Sequence, residues 1–139
     1  MRAARHADVP TSLAFAVPML NLLIAGLECA GWSLGEVARS PVLPLAHRAT
    51  REAVAILERR LGAVAPAAAR LLRPGWVRLG LFASPHFVPF DLENYLRIHF
   101  TKVGDQTRLL LRTWIEMGEG MPRQALESLE RVTSSLTRS

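Results

Sequence analysis

Between Leu45 and Leu61 the apolar residues Leu45, Ala49, Ala53, Ile56, Leu57 and Leu61 return at intervals of three and four. Arg48, Arg51, Glu52, Glu58 and Arg59 fill the opposite side. That period predicts an amphipathic helix with one face for a core. Its frame is "SPVLPLAHRATREAVAILERRLG", residues 40–62, with Ser40 as a capping residue, Pro41 at a tolerated early position and Gly62 as the stop. Upstream, "SLAFAVPMLNLLIAGL" (12–27) is apolar on nearly every side and predicts a buried core helix running to about Ala30. Asp8, Thr11 and Ser12 are its capping candidates, and Pro18 is a kink or a second start. Residues 1–9 read as a flexible polar segment ahead of it.

Downstream, punctuation divides the chain again. "GWSLGE" (31–36) reads as a turn, and residues 65–85 as one or two short helices broken at Pro74–Gly75. "PFDLENYL" opens a further helix, with Asp91 capping over Asn94 and the run continuing through His99 to Lys102. Gly104 and "DQT" mark a possible break. "RLLLRTWIEMG" is helical, "GEGMP" is a turn, and "RQALESLERV" is a last amphipathic helix before a polar tail at 134–139. No strand-like alternation exceeds four residues and no repeat occurs. The prediction is an all-α, single compact domain of about six or seven helices over residues 10–133.

Composition sharpens this picture. A chain of 139 residues fits one domain, and its 50% hydrophobic but only 6% aromatic content is helix-like. The single cysteine, Cys29, excludes an intrachain disulfide and sits in "LECAGW" as a buried structural thiol. A net charge of +5 raises the question of nucleic acid, but the arginines are dispersed, so none is expected as partner. "RLLRPGWVR" (70–78) resembles a basic helix that could lie on an anionic membrane through Trp76. A solvated face is the commoner meaning of such a stretch and weighs against membrane contact. The apolar run 12–27 is shorter than the ~20 residues of a spanning helix, holds Pro18 and Asn21, and meets Glu28 at once. "ECAGW" also makes a poor signal cleavage site. A cytoplasmic location is expected.

Few residues offer chemistry. The four histidines are scattered, and neither H-E-x-x-H, C-x-x-C, G-x-S-x-G nor G-x-G-x-x-G occurs, so no metal and no cofactor is expected on this chain alone. The 17 basic residues comprise sixteen arginines and one lysine, Lys102, in "HFTKVGDQT". On one continuous helix Lys102 would lie a turn from His99 and from Asp105 and Gln106, with Glu93, Asn94 and Arg97 one to three turns earlier. Lysine, histidine and carboxylate together suit the binding of an anionic substrate and proton transfer to its carbonyl oxygen. The plain alternative, which periodicity alone favours, is a solvated polar face with an i,i+3 Lys–Asp pair. Tyr95, Phe100 and Val103 are then expected in the core.

"DLE" (91–93), "TKVGDQT" (101–107), the helix "RLLLRTWIEMG" and "GEGMP" (118–122) together resemble the carboxy-terminal helical domain of the ketopantoate reductase family. The likeness extends more weakly over residues 8–133. It implies a helical fold like that of ketopantoate reductase and 6-phosphogluconate dehydrogenase-like proteins. It further implies a small 2-oxoacid substrate, and a homodimer or a separate Rossmann partner bringing NADPH. On that resemblance Lys102 and Asp105 are the candidate catalytic residues, and His99, Asn94, Gln106 and Glu93 the candidate substrate-binding ones. Two departures stand out. Lys102 replaces a family glutamate that contacts substrate, and neither the Rossmann domain nor the lysine that opens the family's helical domain has a counterpart here. The expected function is therefore that of a substrate-binding and dimerisation domain, inactive alone. The alternative is a small all-α interaction protein that self-associates or lies on a membrane surface.

Overall fold

The computed structural model describes residues 4–66, 73–102 and 104–136. Among them are seven helices and no strand: α1 (Ala4–Cys29), α2 (Leu34–Arg39), α3 (Val42–Leu61), α4 (Pro74–Phe87), α5 (Leu92–Thr101), α6 (Gly104–Met117) and α7 (Gln124–Leu136). The all-α class and the helix count match the hydrophobic pattern.

α3 is the centre of the packing and touches α1, α6 and α7. The reason is its small-residue stripe. Ala46, Ala49 and Ala53 are buried and let neighbouring backbones approach, so Leu22 and Ala25, Leu111 and Trp114, and Leu126 and Leu129 share one core with Ile56. Leu22, Ile56, Leu111, Leu126 and Leu129 are fully buried, each contributing about 1.5–3 kcal/mol of apolar burial. A second cluster joins Leu27, Leu34, Val37, Ala38, Leu43 and Leu81, and a third joins Phe15, Val54, Leu57 and Ala65.

Several helix ends are closed by side chains from elsewhere in the chain. Glu52 of α3 accepts the N–H groups of Ala125 (3.1 Å) and Leu126 (2.9 Å) at the start of α7. Arg60 Nε (2.9 Å) and Arg123 Nη1 (2.6 Å) donate to the Met117 and Ile115 carbonyls at the end of α6. These are the orphan groups every helix leaves at its termini, answered by charge of the sign that the helix dipole favours.

The expected punctuation is largely present. Ser40 Oγ accepts the Val42 N–H (3.2 Å), Gly62 closes α3 at φ 61°, and Gly120 takes φ 80° in the "GEGMP" turn. Four local differences have physical reasons. α1 starts at Ala4, so Asp8, Thr11 and Ser12 lie within it rather than cap it. It also runs on through Pro18, whose buried ring gains apolar contact against the lost N–H bond. The stretch 31–36 is not all turn, because Ser33 accepts the Glu36 N–H (3.3 Å) and opens α2. Pro74 starts α4 rather than breaking a helix, as suits a residue without an N–H to satisfy. Residues 67–72, the other half of that expected pair of helices, lie outside the described residues.

Gly118 makes the α3–α6 packing testable. A β-carbon there would run into Ile56 Cδ1 and stand 3.2 Å from the Trp114 carbonyl. Gly118→Ala should destabilise the fold by about 1–3 kcal/mol through overpacking. Ile56→Val, which removes Cδ1, should cost less in the Gly118→Ala background than alone. Chemical denaturation of the four proteins measures that coupling.

Candidate functional site

The 91–107 region is not one helix. α5 ends at Thr101, Lys102 is its carboxy-terminal cap and α6 begins at Gly104. The expected one-turn spacing from Lys102 to Asp105 along a single helix is therefore replaced by a helix junction. Val103 lies outside the described residues.

Asp91 caps α5 as expected, its Oδ1 accepting the Asn94 N–H (3.1 Å). Glu93 Oε1 accepts the Leu34 N–H (2.9 Å) at the start of α2. Asn94 Oδ1 accepts from Arg97 Nη2 (2.7 Å). Asp91, Glu93, Asn94 and Arg97 share a shallow cleft of about 220 Å³ with the turn at Gly31–Ser33. Two carboxylates face one guanidinium there, so the cleft by itself is better matched to a hydroxyl or a cation than to an anionic substrate. The turn on its far wall is unusual: Gly31 and Trp32 both have positive φ, at 66° and 68°. Trp32 is held in that left-handed conformation by its N–H on the Leu27 carbonyl (2.7 Å) and by packing on the second cluster.

Lys102, Asp105, His99 and Gln106 do not line this cleft. All four are exposed. Lys102 has no ion-pair partner among the described residues. Asp105 turns the other way and pairs with Arg108 (2.7 Å), which also reaches Glu28 of α1 (3.2 Å). Arg108 and Glu28 are largely covered, with side chains 13% and 20% exposed, whereas Asp105 is 96% exposed. The hydrogen bond to Asp105, and the nearby Glu28 charge, hold the Arg108 guanidinium above its ordinary pKa. This triad anchors the start of α6 to the end of α1.

His99 belongs to an aromatic ladder. Its ring stacks parallel to Tyr95 (5.7 Å) and edge-on to Phe100 (4.8 Å), and Phe90 packs edge-on against Tyr95 (5.5 Å). Tyr95 was expected in the core and is 51% exposed; Phe100 is half-buried. No residue of α5 is fully buried, and its Leu92 and Leu96 pack half-buried on the second cluster. On α4, Trp76 (68% exposed), Leu79 and Phe87 (84% exposed) fall along one side of the helix, and Ile98 of α5 is exposed as well. Arg39 sits over the Phe82 ring at 5.5 Å and ties α2 to α4. Comparisons with family models, with curated proteins and with solved structures returned no match to the chain.

A second concavity went unsuspected from the sequence, a groove between α1 and α3 bearing His47, Thr50 and Arg51. Its signal was legible as an i, i+3, i+4 strip of polar residues beside the apolar face of α3. Among the described residues no group of histidine, cysteine and carboxylate side chains is placed to hold a metal ion, and no helix is long and apolar enough to cross a membrane.

Cys29, expected to be buried, is half-buried near the end of α1. Burial, then the adjoining Glu28 charge, push its thiol up to about 11. At pH 8 its thiolate fraction should be on the order of a hundredfold below that of a free cysteine. Slow alkylation of the native protein, accelerating on unfolding, is the expected result.

The triad gives a rank order. Arg108→Ala strands the covered Glu28 carboxylate and should cost about 1–3 kcal/mol, less than a fully buried pair would. Asp105→Asn should cost less than ~1 kcal/mol, as befits an exposed partner. Thermal melts of the two variants check the order. If Asp105→Asn proves the more damaging, the anchor has been assigned to the wrong pair.

Proposed function

We propose that this chain is the substrate-side, dimer-forming helical domain of a ketopantoate reductase-like, NADP-dependent oxidoreductase, inactive alone. The observation that supports the reading is the uncovered face of α4 and α5. Trp76, Leu79, Phe87, Phe90, Tyr95 and Ile98 are all more than half exposed, and an apolar patch of that kind is the usual mark of an interaction surface. That face adjoins the 91–122 stretch that carries the resemblance. NADPH would be bound by a Rossmann domain outside this chain, because no phosphate-cradling glycine loop occurs here. No residue of this chain is assigned to it. Lys102, at the free end of α5 and without an ion-pair partner among the described residues, is available to a substrate carboxylate or to the oxygen that gains charge on reduction. His99, Asn94, Gln106 and Glu93 would help to position that substrate, and Asp105 would act through Arg108.

A second reading, contact of the same face with a membrane surface, is favoured by one observation. α4 carries exposed aromatic residues together with Arg78 and no acidic residue. The protein-covered reading leads because α5 exposes apolar residues too and brings Glu93, with Asp91 just before it, which an anionic surface would repel.

Sedimentation velocity separates the two. The chain should sediment as a dimer that dissociates on dilution. Leu79→Glu with Phe87→Glu should give a monomer of unchanged helicity, since both side chains are exposed. The chain should stay unbound in flotation with anionic vesicles. A monomer at every concentration that floats with those vesicles would replace this reading with the membrane one.

A further inference from the structure

The groove between α1 and α3 shares no lining residue with the exposed side chains of the α4–α5 face or with the 91–107 region, so a ligand held in it would be independent of any reductase role. Its walls are Met19, Leu20 and Leu23 of α1 and Leu43 of α3, with Val77 of α4 beside them. Its volume is about 350 Å³, toward the lower end of the ~300–1,000 Å³ usual for small-molecule sites. Such a space is too small for a folded partner and well sized for one short aliphatic chain.

The polar part of the lining is concentrated and one-sided. His47, Thr50 and Arg51 follow one another at helical spacing on α3, so their polar ends emerge on one strip along the apolar walls. Among the described residues no carboxylate lines the groove. Arg51 is exposed and has no ion-pair partner among the described residues. Thr50 gives its hydroxyl proton to the Ala46 carbonyl (2.8 Å). The donors left for a ligand are therefore the Arg51 guanidinium and the His47 imidazole. One permanent cation beside one imidazole matches a single negative charge. A phosphate dianion would be left under-compensated against walls that offer it no further donor.

We propose that this groove binds an aliphatic monocarboxylate, its chain among Met19, Leu20 and Leu23 and its carboxylate on Arg51 and His47.

The imidazole gives the site a pH signature. Burial, then the neighbouring Arg51 charge, hold His47 below its ordinary pKa. In its neutral form, which that shift favours, it offers the carboxylate one N–H. Among the described side chains α1 and Val77 bring no titratable group to the groove, and on α3 the charged neighbours are Arg51 in the groove and Arg48 next in sequence. A bound carboxylate opposes the Arg51 effect and favours the imidazolium. Affinity should therefore rise as the pH falls through and below about 6.5, while the ligand stays ionised.

Calorimetric titration of the full chain with octanoate tests the proposal, with octan-1-ol and octylamine as head-group controls. One saturable site is expected for octanoate, with Leu20, Leu23 and His47 shifting in the NMR spectrum. Arg51→Gln, at an exposed position that leaves the core untouched, should weaken binding about tenfold, the order of one charge-assisted hydrogen bond. His47→Gln should abolish the pH dependence. Octan-1-ol binding as tightly as octanoate, unchanged affinity in Arg51→Gln, or no saturable octanoate binding would each overturn the assignment.

Discussion

Everything in this fold leans on the closeness with which other helices approach α3. Alanine at 46, 49 and 53 keeps that helix thin along the side that meets its neighbours, and the larger side chains of α1, α6 and α7 fill the space so made. Replacing a stripe of leucines by one of alanines trades apolar area on α3 for area on three partners at once. The same closeness explains why Gly118 has no room for a side chain. It also brings charged side chains of α3 within reach of other helix ends: Glu52 can meet the first turn of α7, and Arg60 the last carbonyl of α6, only because the backbones already lie near.

What the sequence conveyed and what it withheld divide along physical lines. Local signals were legible: the cap at Asp91, the left-handed stop at Gly62 and the three-and-four periodicity of α3 all act within a few residues, whereas the expected cap at Ser40 falls one residue early, Pro41 taking the capping position of α3. α2 escaped notice although Ser33 and Glu36 stand at capping-box spacing, because Gly31, Trp32 and Gly35 make the stretch read as a turn. The start of α1 escaped because a polar segment with a proline carries little periodic signal. The apolar residues of α5 were placed in a core because periodicity reports that a helix has an apolar side, not whether anything lies against it. Tyr95 has the right spacing and stays more than half exposed.

The candidate site was legible only as a neighbourhood. Asp91, Glu93, Asn94 and Arg97 do gather in one cleft, yet Glu93 is occupied with the amino end of α2 and Arg97 with Asn94. The junction after Lys102 turns Asp105 toward Arg108 and Glu28, and the Arg108–Glu28 pairing spans eighty residues of sequence, which no local pattern could carry. Lys102 is thereby left as a cation without an ion-pair partner among the described residues, beside a set of groups that satisfy one another. A chemical role for it requires a surface that this chain does not itself provide, which is the property the α4–α5 face shares with it.

The position of α7 also bears on how the domain comes to exist. Ala125, Leu126 and Leu129 lie at the heart of the main cluster, and α7 seats on α3, α6 and α1. These residues follow α1 to α6 in the chain. During synthesis the ribosome therefore extrudes α1 through α6 before the segment that seals their common interior has emerged, and the nascent helices must wait with Leu22, Ile56 and Leu111 uncovered. The α4–α5 aromatic surface stays bare throughout. Such a chain has apolar surface to keep from other nascent chains in the crowded space outside the exit tunnel until α7 arrives.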